Sequence, residues 1–375
     1  MAYSYNILVT NSTGLYAGGE FYVLELAAAL QSRGHNLWVA CKPDNLLMQK
    51  CIEAGVPTLP VDFPPQGQLM KYIGILREQI KHHAIDIVHT NSNYDRTAGA
   101  FAAKLEGKIH VTNVHSFHSI QHNLTHLVRN RWATNHFLVD GVCVKDLLIK
   151  HDRIAAANVS VVYLGVNPGS MKRDERQRQE IRNEFGYDGA NIVIGNVARL
   201  VPFKGQEYLL RAFAEVSRHH PGARLLLIGD GELRENLLQL ADSLKIESSV
   251  TFAGFRDDLN AIYSAFDIYC HSSVEGGGET FPFAVLQALS QELPVVVTKV
   301  GDVAEMVEEG KNGFVVSDKN PKLIAEKLHV LLPDKKLLLS MGRQSREFLL
   351  IRFTTTAMVN AVEEVYRKVT RKSQS

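Results

Sequence analysis

The sequence predicts an α/β fold built from two doubly wound, Rossmann-like domains that face each other across a central cleft. Short apolar runs of strand length alternate with amphipathic stretches of helical period, the pattern that buries parallel sheets between layers of helices. The chain has 375 residues, 45% of them hydrophobic, enough for two domains of ordinary size with separate cores. The alternation is interrupted by a polar stretch over residues 165–189, which holds Asn167, Pro168 and Gly169 and then the charged run Lys172, Arg173, Asp174, Glu175, Arg176.

In the first half, strands are expected at residues 6–10, 36–41, 86–90, 109–114, 137–139 and 160–163, separated by helices such as 21–32, which Gly34 closes. Residues 118–133 place Leu124, Leu127, Val128 and Trp132 against Arg129 and Arg131. They read as an amphipathic helix packed into the domain core, with a membrane-touching surface as the rival reading. The polar stretch reads as a linker with its hinge at 166–171, leading into a solvated helix. Further strands are expected at 192–197, 224–228, 250–253, 268–270, 295–298 and 313–316. Open α/β sheets bind ligands at the carboxyl ends of their strands, so the functional residues are expected in the loops that follow strands.

Bulk properties exclude several classes of function. The formal net charge is +1, and no basic stripe interleaves with aromatics, so a nucleic-acid partner is not expected. Cys41, Cys51, Cys143 and Cys270 lie in apolar runs without CxxC spacing, which predicts free thiols in a reducing compartment and no structural zinc. The start of the chain turns polar after Val9, no signal peptide is apparent, and no apolar run has bilayer length. The expected location is cytoplasmic, with the inner membrane face as the place of any peripheral contact.

Residues 272–298 place Glu279, a proline-started helix and a buried strand in succession. Gly276, Gly277 and Gly278 let the backbone approach a ligand, Pro282 suits a first helical turn, and free N–H groups there favour an anion. An ordinary strand, glycine linker and helix would look the same. Gly18 and Gly19 stand between the first strand and its helix, where backbone amides could reach a phosphate or merely form a tight turn. After the first strand of the second half come Arg199 and Lys204, five residues apart. They could bind a diphosphate and neutralise it as it leaves, or be two solvated cations. Gly229, Asp230 and the pair Phe255, Arg256 end two further strands, as ligand loops or as plain turns and caps. His118, His122 and His126 could share a helical face near His115; no cysteine or carboxylate pattern completes a metal site, so a polar face toward an acceptor is the preferred reading.

Taken in order, GGE, ARLVPFKG, GDGE, GFRDD and SSVEGGGETFPFAVLQ resemble the retaining glycosyltransferases of family 4 (glycosyl transferases group 1), which have the GT-B fold. The resemblance covers nearly the whole chain. It implies transfer of a sugar from a nucleotide-diphosphate donor, with retention of configuration and no obligatory metal or other cofactor. It also implies a domain at 1–167 on the acceptor side, a donor domain at 168–353, and a final helix at 354–375 that crosses back to the first. By the same resemblance Arg199 and Lys204 are the diphosphate cations, Gly18 and Gly19 the amino-terminal glycine loop, and His115 the histidine near the transferred sugar. Glu279 is the glutamate that orients the donor sugar, followed by Thr280, Phe281, Pro282 and Phe283. Gly229 and Asp230 belong to the donor side, and the loop of Phe255 and Arg256 holds the nucleobase.

Two positions depart from the family pattern. Gln287 stands where a second glutamate normally accepts from the ribose; an amide carbonyl still accepts but loses charge assistance, about 1 kcal/mol. Pro282 replaces the commoner glycine and removes an N–H. The expected function is sugar transfer to a hydroxyl acceptor in polysaccharide, lipopolysaccharide or glycolipid synthesis. The alternatives are a weakly catalytic nucleotide-sugar-binding partner subunit, motivated by Gln287, and an epimerase or phosphorylase of the same fold. A nicotinamide oxidoreductase is disfavoured because GxGxxG is missing after the first strand of each half.

Overall fold

A computed structural model describes residues 4–14, 18–63 and 67–374. The chain divides into two compact units, residues 1–165 with 355–375, and residues 166–354.

The first unit is built on seven parallel strands: β1 Asn6–Asn11, β2 Asn36–Cys41, β3 Thr58–Pro60, β4 Ile87–Thr90, β5 Ile109–Val114, β6 His136–Val139 and β7 Val159–Val161. Their order is β3-β2-β1-β4-β5-β6-β7. The second has six: β8 Ile192–Val197, β9 Ala223–Ile228, β10 Val250–Phe252, β11 Ile268–His271, β12 Val295–Thr298 and β13 Gly313–Val316, in the order β10-β9-β8-β11-β12-β13. The central strands are apolar on both faces because helices cover both. Ile7, Leu8 and Val9 in β1 and Val295 and Val297 in β12 have no exposed surface. Strand order reverses between β1 and β4 and between β8 and β11, so each sheet has a switch point where the loops after two neighbouring strands diverge and leave a crevice.

All the expected strands form, with ends shifted by a residue or two. The three-residue β3 escapes a pattern reading because Thr58, Leu59 and Pro60 are too few to show a period, and only pairing with β2 makes them a strand. The linker helix forms at Glu175–Glu184, but it is solvated on one face only. Ile181 and Arg182 are buried, and Arg178 and Arg182 pair with Asp267 at 2.5 and 3.1 Å. The final helix, Thr355–Gln374, packs within the first unit: Glu363 pairs with Arg33 and His35, and the Tyr366 hydroxyl meets His89 Nδ1 at 2.6 Å.

Residues 118–133 correct the expectation of a core helix. Helix begins only at Leu124, runs as α-helix over Leu124–Val128 and continues as a π-helical turn over Arg129–Ala133. The apolar side faces outward: Leu124, Val128 and Trp132 are 74%, 40% and 54% exposed, whereas Arg129 is buried. Its guanidinium is held by Thr97 Oγ1, Asn130 Oδ1 and the Ile120 carbonyl, which outweighs the segment's own amphipathic pattern. His118 and His122 precede the helix, so the three histidines do not share a helical face.

Cys41, Cys51 and Cys270 are buried free thiols and Cys143 is partly exposed. Among the described residues, no helix is long and apolar enough to cross a membrane.

Candidate functional site

At the switch point of the second sheet, the loops after β8 and β11 lie against each other. Beyond β8 the chain makes a 3-10 turn over Pro202–Lys204 and is capped by Gly205, in the left-handed region at φ 63°. Glycine is required there, since a Cβ would stand 2.1 Å from the Ser272 carbonyl oxygen. The two loops are stitched by Val274 N–H donating to the Phe203 carbonyl at 2.8 Å and Ser272 Oγ donating to the Lys204 carbonyl at 3.0 Å.

This stitching delivers Lys204 to Glu279, and the two form an ion pair with side chains 14% and 10% exposed. The same carboxylate oxygen, Oε2, accepts from Ser273 Oγ at 2.7 Å and from His271 Nε2 at 3.1 Å. Glu279 Oε1 takes no hydrogen bond from any described residue. Burial pushes the Glu279 carboxyl up, but the Lys204 ammonium and the His271 ring more than offset it, and the group stays well below the usual carboxylate range. Burial also lowers the pKa of His271, against the pull of Glu279, so the ring is neutral at pH 7 and donates from Nε2.

Around this centre the other sequence-predicted residues differ in what they offer. Arg199 is exposed, with its guanidinium 5.8 Å from the centre of the Phe203 ring, and it pairs with no carboxylate among the described residues. Lys204 Nζ lies 5.3 Å from the same ring. Gly229 packs its backbone on the β8 loop, where a Cβ would meet the Ala198 carbonyl oxygen at 2.0 Å, and the Asp230 carbonyl accepts from Leu200 N–H at 3.0 Å. Phe255 projects into solvent. The Arg256 guanidinium is engaged by Asp258 at 2.6 Å and Glu184 at 2.5 Å, which raises its already high pKa. That loop therefore offers a ligand its backbone and the Phe255 ring.

Pro282 caps the helix Phe283–Ser290, and Thr280, Phe281 and Phe283 are buried beside it. Gln287 sits on this helix at 4% exposure, and its side-chain amide makes no hydrogen bond to any described residue. Its amide atoms are not among the fully buried polar atoms without a partner, so they reach surface where a ligand or water can meet them.

In the first unit, His115 follows β5. Its Nε2 meets Asn91 Oδ1 at 2.9 Å, its Nδ1 faces Asp140 Oδ2 at 3.4 Å, and the Tyr22 ring lies edge-on at 5.0 Å. Asn91 also donates to the Gly19 carbonyl at 3.2 Å, which ties Gly18 and Gly19, at the start of the helix Gly18–Ser32, to the histidine. Residues 15–17 of the glycine loop lie outside the described residues, as do residues 64–66.

Sequence reasoning did not find His271 and Ser273, which hold the glutamate, or Asp140, which faces His115. His271 had a faint signal, as a polar residue closing the otherwise apolar strand β11. Among the described residues, no cluster of three or more histidine, cysteine, aspartate or glutamate side chains could hold a metal ion.

Comparison with known proteins gives this geometry its context. The chain matches the family description glycosyl transferases group 1 over residues 177–348 and Glycosyltransferase Family 4 over residues 16–170. It is 33% identical to an uncharacterized glycosyltransferase of Methanocaldococcus jannaschii over 180 residues, 47% of this chain and 45% of that protein. It is 32% identical to the D-inositol 3-phosphate glycosyltransferase of Corynebacterium jeikeium over 241 residues, 60% of this chain and 55% of that protein. The chain thus spans about half the length of the curated relatives it matches. Among solved structures it resembles HepE of Anabaena in complex with UDP, with a TM-score of 0.84 and 22% identity over 97% of this chain and 100% of that one. A glycosyltransferase of Rickettsia africae gives a TM-score of 0.87 and 18% identity, covering 98% of this chain and 99% of the other. At these identities the likeness establishes the fold, and the fold is GT-B. With both halves of the chain matched in sequence and the two parallel sheets matched in structure, the chain belongs to the group 1, family 4 glycosyltransferases.

Proposed function

We propose that this protein transfers a sugar from a nucleotide-diphosphate donor to an acceptor hydroxyl, with retention of anomeric configuration and without an obligatory metal. The observation that carries the reading is the half-used carboxylate of Glu279. Lys204, His271 and Ser273 fix Oε2, and Oε1 is left to accept from a donor-sugar hydroxyl. Arg199, exposed on the adjoining loop and without a carboxylate partner among the described residues, then meets the diphosphate, with Lys204 adding the second positive charge that a metal would otherwise supply. The amide of Gln287 accepts from and donates to the ribose, and the backbone of the Phe255–Arg256 loop meets the base. In the first unit, Asn91 and Asp140 orient His115 for a role beside the transferred sugar.

In the reaction, the bond from the anomeric carbon to the diphosphate oxygen breaks and a bond to the acceptor oxygen forms on the same face. The acceptor proton passes to the departing diphosphate. Glu279 positions the sugar and is not assigned as a nucleophile. Relatives named for transfer to inositol phosphate and to a phosphatidylinositol mannoside favour a polyol or glycolipid acceptor. The buried free thiols fit a cytoplasmic setting.

The test is a screen of UDP-, GDP- and ADP-sugars for binding, hydrolysis and transfer, with anomeric configuration read by NMR and chelator present. Retained product from one donor is expected. Nucleotide binding without turnover in any acceptor extract, by wild type and by Gln287→Glu alike, would replace the enzyme with a binding subunit.

A further inference from the structure

We propose that the first unit recognises its acceptor through an uncharged sugar ring that stacks on the exposed side chains of Tyr94 and Phe117, in the loops after β4 and β5. The inference rests on the sugar-transfer reading for what the bound ring is there to do, and it narrows the acceptor to one chemical class.

β1, β4 and β5 are neighbours in the first sheet, so the loops after them open on its switch-point crevice, where His115 stands. The Ser12 and Ser92 hydroxyls, 2.6 Å apart, join the loops after β1 and β4. Tyr94 closes the β4 loop and is 37% exposed; Phe117, two residues after His115, is 47% exposed. The Tyr94 ring lies nearly parallel to that of Tyr72, with centroids 6.5 Å apart, and Phe63 meets Tyr72 edge-on at 5.0 Å. Tyr72 and Phe63 belong to the buried core, so the exposed ring is backed by two that packing holds in place.

Charge identifies the ligand. No lysine, arginine, aspartate or glutamate occurs at positions 12–19, 91–94 or 115–123. The acids that adjoin these loops, Glu20, Asp95 and Asp140, are buried, and Glu20 Oε1 accepts from Asn11 and Thr13. The loops offer neutral groups instead: the side chains of Asn93, Ser116 and His118 bond to no described residue. A pyranose has a face of C–H groups, which suits the electron-rich face of an aromatic ring, and a rim of hydroxyls, which suits neutral donors and acceptors. A phosphorylated polyol or a dicarboxylate would call for lysine or arginine to offset its desolvation, and these loops hold neither.

The test is saturation-transfer NMR on the full chain with the methyl glycosides of glucose, galactose and mannose, each beside its 6-phosphate. The expected result is saturation of the ring C–H protons of a neutral glycoside, with the phosphates bound more weakly. Tyr94→Ala and Phe117→Ala should each weaken that binding about tenfold, and Tyr94→Phe about twofold at most, because the ring face carries the contact. Hydrogen exchange of peptides from β4 and β5 should match wild type, which checks that the first unit stays folded; if Tyr94→Ala loosens them, Phe117→Ala decides. Binding of UDP, GDP and ADP to the same samples reports on the second unit. A neutral glycoside bound without any nucleotide would sink the donor reading and leave this one standing, whereas nucleotide bound without any neutral glycoside would sink this one alone. Preference for a sugar phosphate, or a neutral glycoside held equally well by Phe117→Ala and by folded Tyr94→Ala, would also overturn the proposal.

Discussion

Replacing Lys204 with methionine should reverse the pH dependence of the second unit's stability. In the folded protein the Glu279 carboxyl titrates below its ordinary value of 4.5. The native state therefore binds fewer protons than the unfolded state in mildly acid solution. Glu279 contributes stability that is fully present above that ordinary value and is lost as pH falls toward the folded pKa. Lys204→Met removes the main group opposing burial. The folded pKa should then rise above 4.5, and the sign changes: the contribution is present in acid and is lost as pH climbs through the raised pKa.

The pair is nearly buried, so removing one partner leaves a charge in a poorly solvating pocket. The expected loss near pH 8 is about 3 kcal/mol, the lower end for a broken buried pair because His271 and Ser273 still donate to the carboxylate. Tryptophan emission cannot follow this, since Trp38 and Trp132 both lie in the first unit. Hydrogen exchange read by mass spectrometry on peptides from β11 and the helix Phe283–Ser290 can, at pH 5 and pH 8 with intrinsic rates corrected. Adding Glu279→Gln should restore protection to within about 1 kcal/mol of wild type, because no charge is then left unpaired. A loss under about 1 kcal/mol at pH 8, of the size seen for solvated surface pairs, with the wild-type pH slope retained, would refute the buried-pair reasoning.

Arg199→Ala touches an exposed cation with no carboxylate partner among the described residues, so calorimetric stability should stay within about 0.5 kcal/mol. Affinity for nucleoside diphosphates, measured by titration calorimetry, should fall by about 1.5–3 kcal/mol, the value of a charged hydrogen bond. Gln287→Glu should tighten nucleotide binding by about 1 kcal/mol if this side chain meets the ribose, and the same titration would show no gain if it does not. Gly205→Ala forces a Cβ to within 2.1 Å of the Ser272 carbonyl oxygen at a positive φ. It should cost more than about 2 kcal/mol by exchange in the second unit and separate Lys204 from Glu279, with nucleotide affinity dropping alongside.

The strands were legible because a buried parallel strand must be apolar throughout and a short turn must follow it, so runs such as Val295–Thr298 announce themselves. Gln287, Arg199 and Glu279 could likewise be singled out by their place after strands and by the family pattern. Where the reading failed, a local pattern lost to a distant partner. The three residues of β3 are a strand only through β2, and the segment 124–133 turned its apolar side outward because Thr97, Asn130 and the Ile120 carbonyl claim Arg129.

The sequence by itself determined the two-sheet α/β architecture, the family and the loops that carry polar residues, because hydrophobic period and glycine placement are local properties. It could not determine which polar groups meet. That Lys204 reaches Glu279 across 75 positions of chain, and that His271 and Ser273 share its Oε2, follow from strand order, which sets β11 beside β8. Pairing between distant loops depends on which strands become neighbours, and only the folded chain fixes that.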